Sequence, residues 1–596
     1  MDYIKGESRE QITLLPDCIE NYITSENAVR VIDAFVDSLE ITAMGFKRAV
    51  NNSTGRPAYN PRDLLKLYIY GYLNGIRSGR KLMRECGRNV EVFYLINKLQ
   101  PDFRTISDFR KDNAAALKKV FSAFTKLCLG MGLFGQELVA VDGTKIRAVN
   151  AKDNCYTPEV LKKKLATIEE KIERYMEALD KADQAEQETA PDGEAVKAAL
   201  KALQARKGKY TGYLEALEQS GDTQLLTTDP EARRIHSKDG FHCGYNVQAA
   251  VDAKSHMIAA YEVTNKSGDM GLLLETTEQA REELGCESIA VTADKGYDSR
   301  EDILNCVMNG IVPNVIPRYD KDEHVFQIEY EEREITEELR TSTKPADIQS
   351  CLHAGVLPEI YAGTNISVEL QYPEKLSCFV KNEDGTVTCP TGKILTKVRT
   401  RGENSIYASK AACRSCLTRC KAGGNHKVVS FGPNTTFVPV KMYGAASNAL
   451  TPIPEEGMSP YNHTLDRRDY IKPKTVLIRI RHDESITKQR KEIVEHPFGT
   501  VKRSLGATYT LLKGKTKVRA DIGLCFLAYN MIRAINLVGV KRLIEAMGQG
   551  ALFLCPKTRS KTPKTPWLRE FSDKVWRTRE DSNLWPLESE SNALSS

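Results

Sequence analysis

The stretch GYNVQAAVDAKSHMIAAYEVT, residues 244–264, contains two β-rich runs joined by the turn-like segment Asp252-Ala-Lys-Ser. A helical pattern follows over residues 269–285, where apolar side chains recur on one face. The next segment, SIAVTADKGYDS at 288–299, reads as a buried strand that leads to Asp294 and a glycine-containing turn. The stretch therefore predicts a β-hairpin, a helix and a further strand in succession.

Elements on both sides extend this series. The segment ELVAVDGTKIRA, residues 137–148, fits a short buried strand that carries Asp142 and Gly143 near its middle or end. A helical pattern over 300–310 and a short apolar strand over 311–317 follow Asp294. The order is strand, hairpin of two strands, helix, strand, helix, strand. Such an alternation predicts an α/β fold, with a mixed sheet and helices on its faces.

The N-terminal part has a different pattern, with helices and no strands. Asn60 is positioned to cap a helix that begins at Pro61, and apolar residues then recur every three to four positions. Two more helices are expected to start at Ser78 and Thr105. Residues 1–130 therefore predict an all-α domain, which is either a helix-turn-helix-like DNA reader or ordinary helical packing.

A helical hairpin is expected after the first strand, at residues 155–220. Between Leu161 and Leu179 the apolar residues alternate spacings of four and three, which is a heptad seam. A second helical stretch lies around residues 200–217. We interpret the pair as an antiparallel hairpin that is structural or spans DNA.

Length and charge favour a multidomain protein that contacts nucleic acid. The 596 residues are too many for one compact core, and 28% of them are charged. The net charge of +6 is too small to specify a partner, but residues 466–519 contain fifteen Lys/Arg and six Asp/Glu, a local balance of +9. Such a segment suits DNA, although a solvated charged surface would have the same composition.

The sequence has neither a long apolar run nor an apolar signal core, and this predicts where in the cell the protein is found. No apolar run approaches the roughly twenty residues of a membrane span, and the N-terminus has no apolar signal core. We therefore expect a cytoplasmic, nucleoid-associated protein without a membrane partner. The fifteen cysteines form no dense regular framework, which favours reduced thiols or metal ligation over disulfides.

The segment QRKEIVEHPFGTVKRSLG, residues 489–506, places Glu495 among arginines and lysines. Either Glu495 only reduces the charge of a basic helix, or it binds something cationic that acts on a polyanion. Pro497 either bends this helix or marks its start.

Three acidic motifs together resemble those of bacterial insertion-sequence transposases of the DDE class. They are VAVDGTKI, VTADKGYDS and EIVEHPFGTVKR, and they occur in the order that the family requires. The resemblance implies a ribonuclease-H-like catalytic core in which Asp142, Asp294 and Glu495 bind metal, with Lys502 contacting DNA. The chain departs from the family pattern before the Glu, where Thr487 or Lys488 stands in place of a tyrosine, while Arg490 is present.

That implied activity explains the acid in the basic segment. Phosphodiester cleavage needs an activated nucleophile and a stabilised leaving oxygen, and two Mg²⁺ (or Mn²⁺) ions about 3.5 to 4 Å apart supply both. Carboxylates are the ligands such ions prefer, whereas Arg490, Lys502 and Arg503 would hold phosphates. The expected partner is double-stranded DNA, as terminal inverted repeats and as target, bound by a homodimer or a larger assembly.

Each acidic residue also has a purely structural interpretation. Asp142 could cap a turn at a strand end, and Asp294 could serve the turn before Lys-Gly-Tyr. Asp252, which also ends an apolar strand, is assigned to the hairpin turn and placed outside the site. His496 has no visible partner for base catalysis, which favours a structural or DNA-contacting role.

A cysteine cluster lies in the long segment between the last predicted strand and the Glu helix. Cys389 precedes Cys413, Cys416 and Cys420, and the last three have the spacing C-x-x-C-x-x-x-C. Four thiolates at such spacing suit a structural Zn²⁺, with Cys378 or His426 as a possible replacement for one ligand. Reduced, unligated cysteines are the alternative.

The predicted domain organisation follows from these features. The helical DNA-binding domain (1–130) is followed by the first part of the catalytic core (136–317), an insertion with a possible zinc ribbon (318–461), the second part of the core with the Glu helix (462–540), and a disordered tail (541–596). The sequence thus predicts a transposase that cuts the ends of its own element and joins them to target DNA. A metal-dependent nuclease and a catalytically inactive DNA-binding protein remain the alternatives.

Overall fold

The structure is a computed structural model, which describes residues 18–50, 57–151, 154–184, 193–237, 240–318, 322–371, 376–414, 416, 420, 426–441 and 475–548. Its first part is helical: α1 Ala28–Asp37, α2 Ile41–Met44, α3 Pro61–Leu73, α4 Gly79–Glu85, α5 Val90–Ile96, α6 Phe103–Asp112 and α7 Ala114–Gly130. Asn60 caps α3 as expected, since its side chain accepts a hydrogen bond from the Arg62 amide at 2.9 Å. The helix predicted to start at Thr105 begins at Phe103, because the Asp102 carboxylate caps it.

Strand β1, Leu138–Arg147, is followed by a helical hairpin. The hairpin consists of β2 Cys155–Tyr156, α8 Pro158–Gln184, α9 Gly193–Ser220 and β3 Leu225–Leu226. Helices α8 and α9 pack on each other, and β2 pairs with β3 at their base. Tyr156, Leu161 and Leu217 form a small hydrophobic cluster there. The two helices lie where the heptad pattern placed them.

The main sheet continues with β4 Arg233–Ser237, β5 Gly240–Asp252, β6 Ile258–Thr264, α10 Leu273–Leu284, β7 Ile289–Ala293, α11 Arg300–Met308 and β8 Ile311–Val315. Its strand order is β4-β5-β1-β7-β8, with β6 pairing β5. β5 runs antiparallel to β1, whereas β7 is parallel to β1 and β8 is parallel to β7. The predicted mixed sheet is confirmed, and its strands and helices occur in the predicted order except for β4, an additional strand before the hairpin.

Two further sheets follow, one of three strands and one of six. Their elements are β9 Glu323–Glu329, α12 Glu337–Thr341, α13 Pro345–His353, β10 Ile366–Gln371, β11 Leu376–Lys381, β12 Val387–Thr388, β13 Ile394–Arg401, β14 Asn404–Ala408, α14 Lys410–Arg414, β15 Val428–Phe431, β16 Phe437–Lys441 and β17 Thr475–Arg481. β11 to β16 form a six-stranded sheet with its own apolar cluster. β17, which the sequence analysis did not predict, lies between β10 and β9. Strands from the expected insertion therefore pair with a strand from the expected second part of the core.

The chain ends, within the described residues, with three helices: α15 Glu484–Arg503, α16 Lys515–Val538 and α17 Val540–Gly548. α16 is long and apolar enough to cross a membrane by composition alone, but 67% of its apolar window is buried inside the protein. It packs against α7, α3 and β6. The predicted tail from residue 541 begins within α17, and residues 549–596 lie outside the described part.

One hydrophobic core joins the N-terminal helices to the main sheet. A single cluster of buried apolar residues extends from Ile23 to Met547 and includes side chains of α3, α7, β5 and α16. The boundary expected near residue 130 therefore separates segments of sequence that share a core.

A buried ionic group crosses the same interface. Asp521 of α16 is fully buried and lies 2.7 Å from Arg77 and 3.1 Å from Arg110, and the Tyr72 hydroxyl also donates to it. Arg77 additionally donates to the Gly506 carbonyl, just beyond α15, at 2.6 Å. We call Asp521, Arg77, Arg110 and Tyr72 the Asp521 cluster. It ties the N-terminal helices to the end of α15.

Candidate active site

Two of the predicted acids lie side by side, Asp142 in the middle of β1 and Asp294 directly after the parallel strand β7. β1 pairs with β7 so that Ala140 lies opposite Thr292. Two residues further along each strand, Asp142 and Asp294 therefore lie on the same face of the sheet, since side chains alternate faces along a strand. The sequence motifs alone could not establish this proximity.

Both carboxylates also hydrogen-bond to the backbone of a following glycine. Asp142 Oδ1 accepts from the Gly143 amide at 2.8 Å, and Asp294 Oδ1 accepts from the Gly296 amide at 2.7 Å. Asp294 thereby caps a short 3₁₀ helix, Lys295–Tyr297. The structural interpretation is thus correct for the local geometry of Asp294, but these bonds occupy only one oxygen of each carboxylate.

The pKa of Asp142 is affected by burial and by several neighbouring charges. Burial raises the pKa of Asp142 above its usual range. Arg490 and the Gly143 amide act in the opposite direction, whereas the charges of Asp294 and Asp269 raise the pKa further. Because the net effect is upward, the ionised carboxylate is costly without an added cation.

Arg490 is the cation nearest to Asp142. Its Nη1 lies 3.4 Å from Asp142 Oδ2, and its side chain is 11% exposed. Among the described residues, no group accepts a hydrogen bond from Nε or Nη1 of Arg490. Such buried donors are costly unless a further acceptor is present, and a phosphate oxygen would satisfy them.

Helix α15 is anchored on the sheet near its N-terminus. Asn314 of β8 exchanges hydrogen bonds of 2.9 and 3.0 Å with the backbone of Asp483, and the Asp483 side chain caps the helix. The helix then continues through Pro497 to Arg503, so Pro497 does not mark its start. Ile493 and Val494 are buried, and the helix packs on β1, β5, β7 and β8.

The third predicted acid stands apart from the other two. Glu495 is exposed on α15. Across the described residues, no group of three or more His, Cys, Asp or Glu is arranged to hold a metal ion. The structure therefore brings together two of the three predicted ligands. Both are carboxylates, the donors that Mg²⁺ prefers, so the pair fits a divalent cation.

The predicted phosphate ligands lie on the same helix. Lys502 is half-buried and Arg503 is exposed in the last turn of α15. Glu495 and Lys502 are seven residues apart, nearly two turns, and therefore share a face of this uninterrupted helix.

The two predictions that excluded residues from the site agree with the geometry. Asp252 is fully buried, and its carboxylate accepts from the amides of Gly135, Lys254 and Ser255 at 2.8 to 3.1 Å. Its assignment to the hairpin turn is confirmed. His496 Nδ1 lies 3.0 Å from the Tyr529 hydroxyl, which is a structural contact.

Sequence reasoning missed a polar group on the opposite face of β1. Asp269, in the loop before α10, lies 3.0 Å from the ammonium of Lys145 and accepts from Asn246 and Gln248. The available signals were a lysine inside an apolar strand and an aspartate beside Gly268 and Gly271. Neither signal indicates that the two residues meet.

The cysteine cluster is partly assembled at the end of the six-stranded sheet. Cys389 Sγ lies 3.2 Å from Thr391 Oγ1, which lies 3.8 Å from Cys416 Sγ. Burial raises the pKa of Cys420, and the neighbouring thiols of Cys413 and Cys389 contribute to the increase. The four cysteines therefore lie in one region, although they do not have the arrangement of a metal site.

Comparison with known proteins gives two family matches in chain order. Residues 17–112 match the transposase domain family DUF772, and residues 134–422 match the transposase DDE domain. No curated protein matches the chain. A cryo-EM structure of the piggyBac transposase synaptic complex with hairpin DNA aligns over 88% of this chain and 79% of that chain, at 9% identity and a TM-score of 0.26, which is too low to support an argument. The two family matches show that the chain belongs to the DDE transposases of insertion sequences.

Proposed function

We propose that this transposase cuts the ends of its own insertion sequence with water and joins the freed 3′ hydroxyls to target DNA. The observation that carries the proposal is that Asp142 in β1 and Asp294 directly after β7 lie on adjacent parallel strands, with the buried guanidinium of Arg490 against Asp142. Carboxylates beside an arginine suit phosphoryl transfer, in which metal ions and positive side chains share the phosphate charge.

The sheet supports a ribonuclease-H-like assignment for the catalytic core. The strands β6, β5, β1, β7 and β8 are neighbours in that order, the first three antiparallel and the last three parallel. Helix α15 packs on β1, β5, β7 and β8. In this assignment the middle of β1 and the carboxyl end of β7 carry two acids, and a late helix carries the third.

The acidic residues would bind metal, and the basic residues would bind DNA phosphates. Asp142 and Asp294 would hold a divalent cation, Mg²⁺ or Mn²⁺, and Glu495 would complete the site from α15. When bound, the metal activates water and stabilises the leaving 3′ oxygen. Arg490 donates to the scissile phosphate from the interior, while Lys502 and Arg503 hold flanking phosphates on the surface.

The partner would be double-stranded DNA, both the terminal inverted repeats and the target. Joining two element ends requires two active sites, so a homodimer or larger assembly should form on DNA in the cytoplasm. Sedimentation of the protein with end DNA tests this, because a strictly monomeric complex that still joins ends would contradict it.

The central test replaces each acid with its amide. Asp142→Asn, Asp294→Asn and Glu495→Gln keep the shape of the side chain but remove the charge that a divalent ion needs. Each should abolish nicking and strand transfer on labelled end DNA in Mg²⁺ while end binding persists. Asp252→Asn is the matched control, because Asp252 also follows a run of buried strand residues but its carboxylate serves a turn.

The outcomes separate the alternatives. A parent that nicks but never joins pre-cleaved ends is a nuclease, and one that binds without Mg²⁺-dependent nicking is an inactive DNA-binding protein. If Glu495→Gln cuts as well as the parent, or if only Asp252→Asn is inactive, the proposed assignment of the active site is wrong.

A structural zinc ion is proposed for Cys389, Cys413, Cys416 and Cys420. Support comes from the proximity of the four thiols beside the six-stranded sheet. Purified, reduced protein should carry about one Zn²⁺ per chain, and Cys416→Ser should lower both the metal content and the local stability. Elemental analysis that finds no zinc would rule the site out.

A further inference from the structure

Beneath the two aspartates, on the opposite face of the sheet, lies a charged pair that no motif indicates. The carboxylate of Asp269 accepts from Lys145 Nζ at 3.0 and 3.1 Å, from Asn246 at 2.7 Å and from Gln248 at 2.9 Å. The side chains of Asp269 and Lys145 are 22% and 20% exposed. Asp269 is thus held by four hydrogen bonds in a largely buried position.

The strand register explains why this group lies opposite Asp142. In the β1–β5 pairing, Gly143 lies opposite Gln248 and Lys145 opposite Asn246. These four residues share one face because side chains alternate along a strand, and Asp142, which directly precedes Gly143, points to the other face. Asp142 and Asp269 are therefore separated by the backbone of β1.

Asp269 can approach the backbone next to Asp142 and Asp294 closely because the residues that face it there are glycines. A Cβ on Gly143 would lie 2.6 Å from Asp269 Oδ1, and a Cβ on Gly296 would lie 3.7 Å from Asp269 Oδ2. Gly143 and Gly296 are the glycines whose amides bind Asp142 and Asp294. Asp269 therefore lies directly against the backbone that holds both acids.

The same network reaches the second acid through a tyrosine. The Tyr297 hydroxyl is fully buried and donates to Gln248, which itself donates to Asp269. Tyr297 ends the short helix that Asp294 caps. Both acid-bearing segments are thus linked to Asp269 by hydrogen bonds or by close backbone contact.

We infer that Asp269 and Lys145 form a positioning pair that sets the affinity of Asp142 and Asp294 for a divalent cation. This inference rests on the metal role proposed above. The negative charge of Asp269 favours a cation at the two acids, and the positive charge of Lys145 offsets it, so the intact pair contributes little net charge. Removing one partner leaves a unit charge close to the site.

This arrangement predicts effects of opposite sign. Lys145→Met leaves Asp269 uncompensated and should tighten cation binding about tenfold, whereas Asp269→Asn leaves Lys145 uncompensated and should weaken it about tenfold. The double variant Lys145→Met/Asp269→Asn should return close to the parental affinity. A pair that only stabilised the fold would shift both single variants in the same direction.

The experiment is calorimetric titration of the metal-free, full-length variants with Mn²⁺. End-DNA binding and the thermal midpoint are measured in parallel to register folding. Opposite shifts that cancel in the double variant support the inference, while unchanged or same-direction shifts overturn it. Asp252→Asn should leave Mn²⁺ affinity unchanged.

Two further variants separate this inference from the proposed function. Asp142→Asn and Asp294→Asn should remove the Mn²⁺ site. If they bind Mn²⁺ as the parent does, the proposed metal role fails. If they lose the site but the Lys145 and Asp269 variants show no opposite shifts, only the positioning pair is refuted.

Discussion

Asparagine in place of Asp521 would leave two buried guanidinium groups without a counter-charge. Arg77 and Arg110 are each 5% exposed and Asp521 is 0% exposed, so water cannot replace the lost carboxylate without local opening. Breaking a buried ion pair by removing one partner costs about 3–5 kcal/mol. Because two cations are affected, we expect about 5 kcal/mol, a large share of the roughly 5–15 kcal/mol that stabilises a typical domain.

A matched control is Glu262 on β6, the strand that packs against α16. Glu262 is also buried and pairs with Arg519 and Lys515 of α16, but those cations are 26% and 42% exposed. They can regain water when the acid is removed, so Glu262→Gln should cost about 1 kcal/mol. The comparison separates the loss of a buried counter-charge from the loss of an ion pair on the same helix.

The assay is urea unfolding of the full-length variants, followed by circular dichroism and by limited proteolysis between α7 and β1. Asp521→Asn should lower the midpoint and expose that connection to protease, because the Asp521 cluster joins the N-terminal helices to α16. If Asp521→Asn is as stable as Glu262→Gln, the buried cluster does not hold the two parts together.

The pH dependence gives an independent check. Burial opposes ionisation of Asp521, but Arg77, Arg110 and the Tyr72 hydroxyl outweigh it and hold its pKa below the usual 3.8. An acid with a depressed pKa stabilises the fold above its unfolded pKa, and this stability is lost as the pH falls through the folded pKa. The parent should therefore lose stability below about pH 4, and Asp521→Asn should lack that part of the acid loss.

Three further predictions concern other parts of the chain. Lys502→Ala should weaken DNA binding for all sequences and reduce its salt dependence, since a phosphate contact releases counterions without reading bases; an unchanged salt slope would remove Lys502 from the DNA path. Gly143→Ala should cost about 1–3 kcal/mol and most of the nicking activity, because the added Cβ would lie 2.5 Å from Gln248 Nε2 and 2.6 Å from Asp269 Oδ1; normal activity and thermal midpoint would contradict this packing. Burial lowers the pKa of His256 to about 4, so the folded protein should lose stability as the pH falls from 6.5 to 4, where only the unfolded chain takes up the proton. His256→Asn, which tolerates the positive φ of 56° at this position, should lose less stability over that range in urea titrations, and an equal loss would show that His256 is not responsible.

Local patterns were sufficient to predict the elements that carry the candidate site. Apolar periodicity placed β1, β7 and the helices between them, and cap chemistry placed the start of α3 at Asn60 and Pro61. The turn at Asp252 was also predictable, because its partners lie within a few residues or on the adjacent strand. These features depend on neighbours in sequence, whose geometry is much the same in any fold.

Features that depend on distant segments were not predictable. β17 pairs with β9 and β10, which precede it by more than a hundred residues, and its alternating pattern does not identify its partners. Asp521 meets Tyr72 across 449 residues, so the sequence showed only an acid in an apolar helix. Burial makes such an acid need a counter-charge, but only the packing of α16 against the N-terminal helices determines which arginines supply it.

The candidate site divides in the same way. The sequence by itself determined that Asp142 and Asp294 each follow a run of buried strand residues and come one or two residues before a glycine, because these are local properties of the two motifs. Only the tertiary structure decided that β7 lies parallel to β1, which brings the two carboxylates together, and that Arg490 and Asp269 approach them from opposite faces. Strand pairing and helix docking depend on the burial of the whole core, and no single motif contains that information.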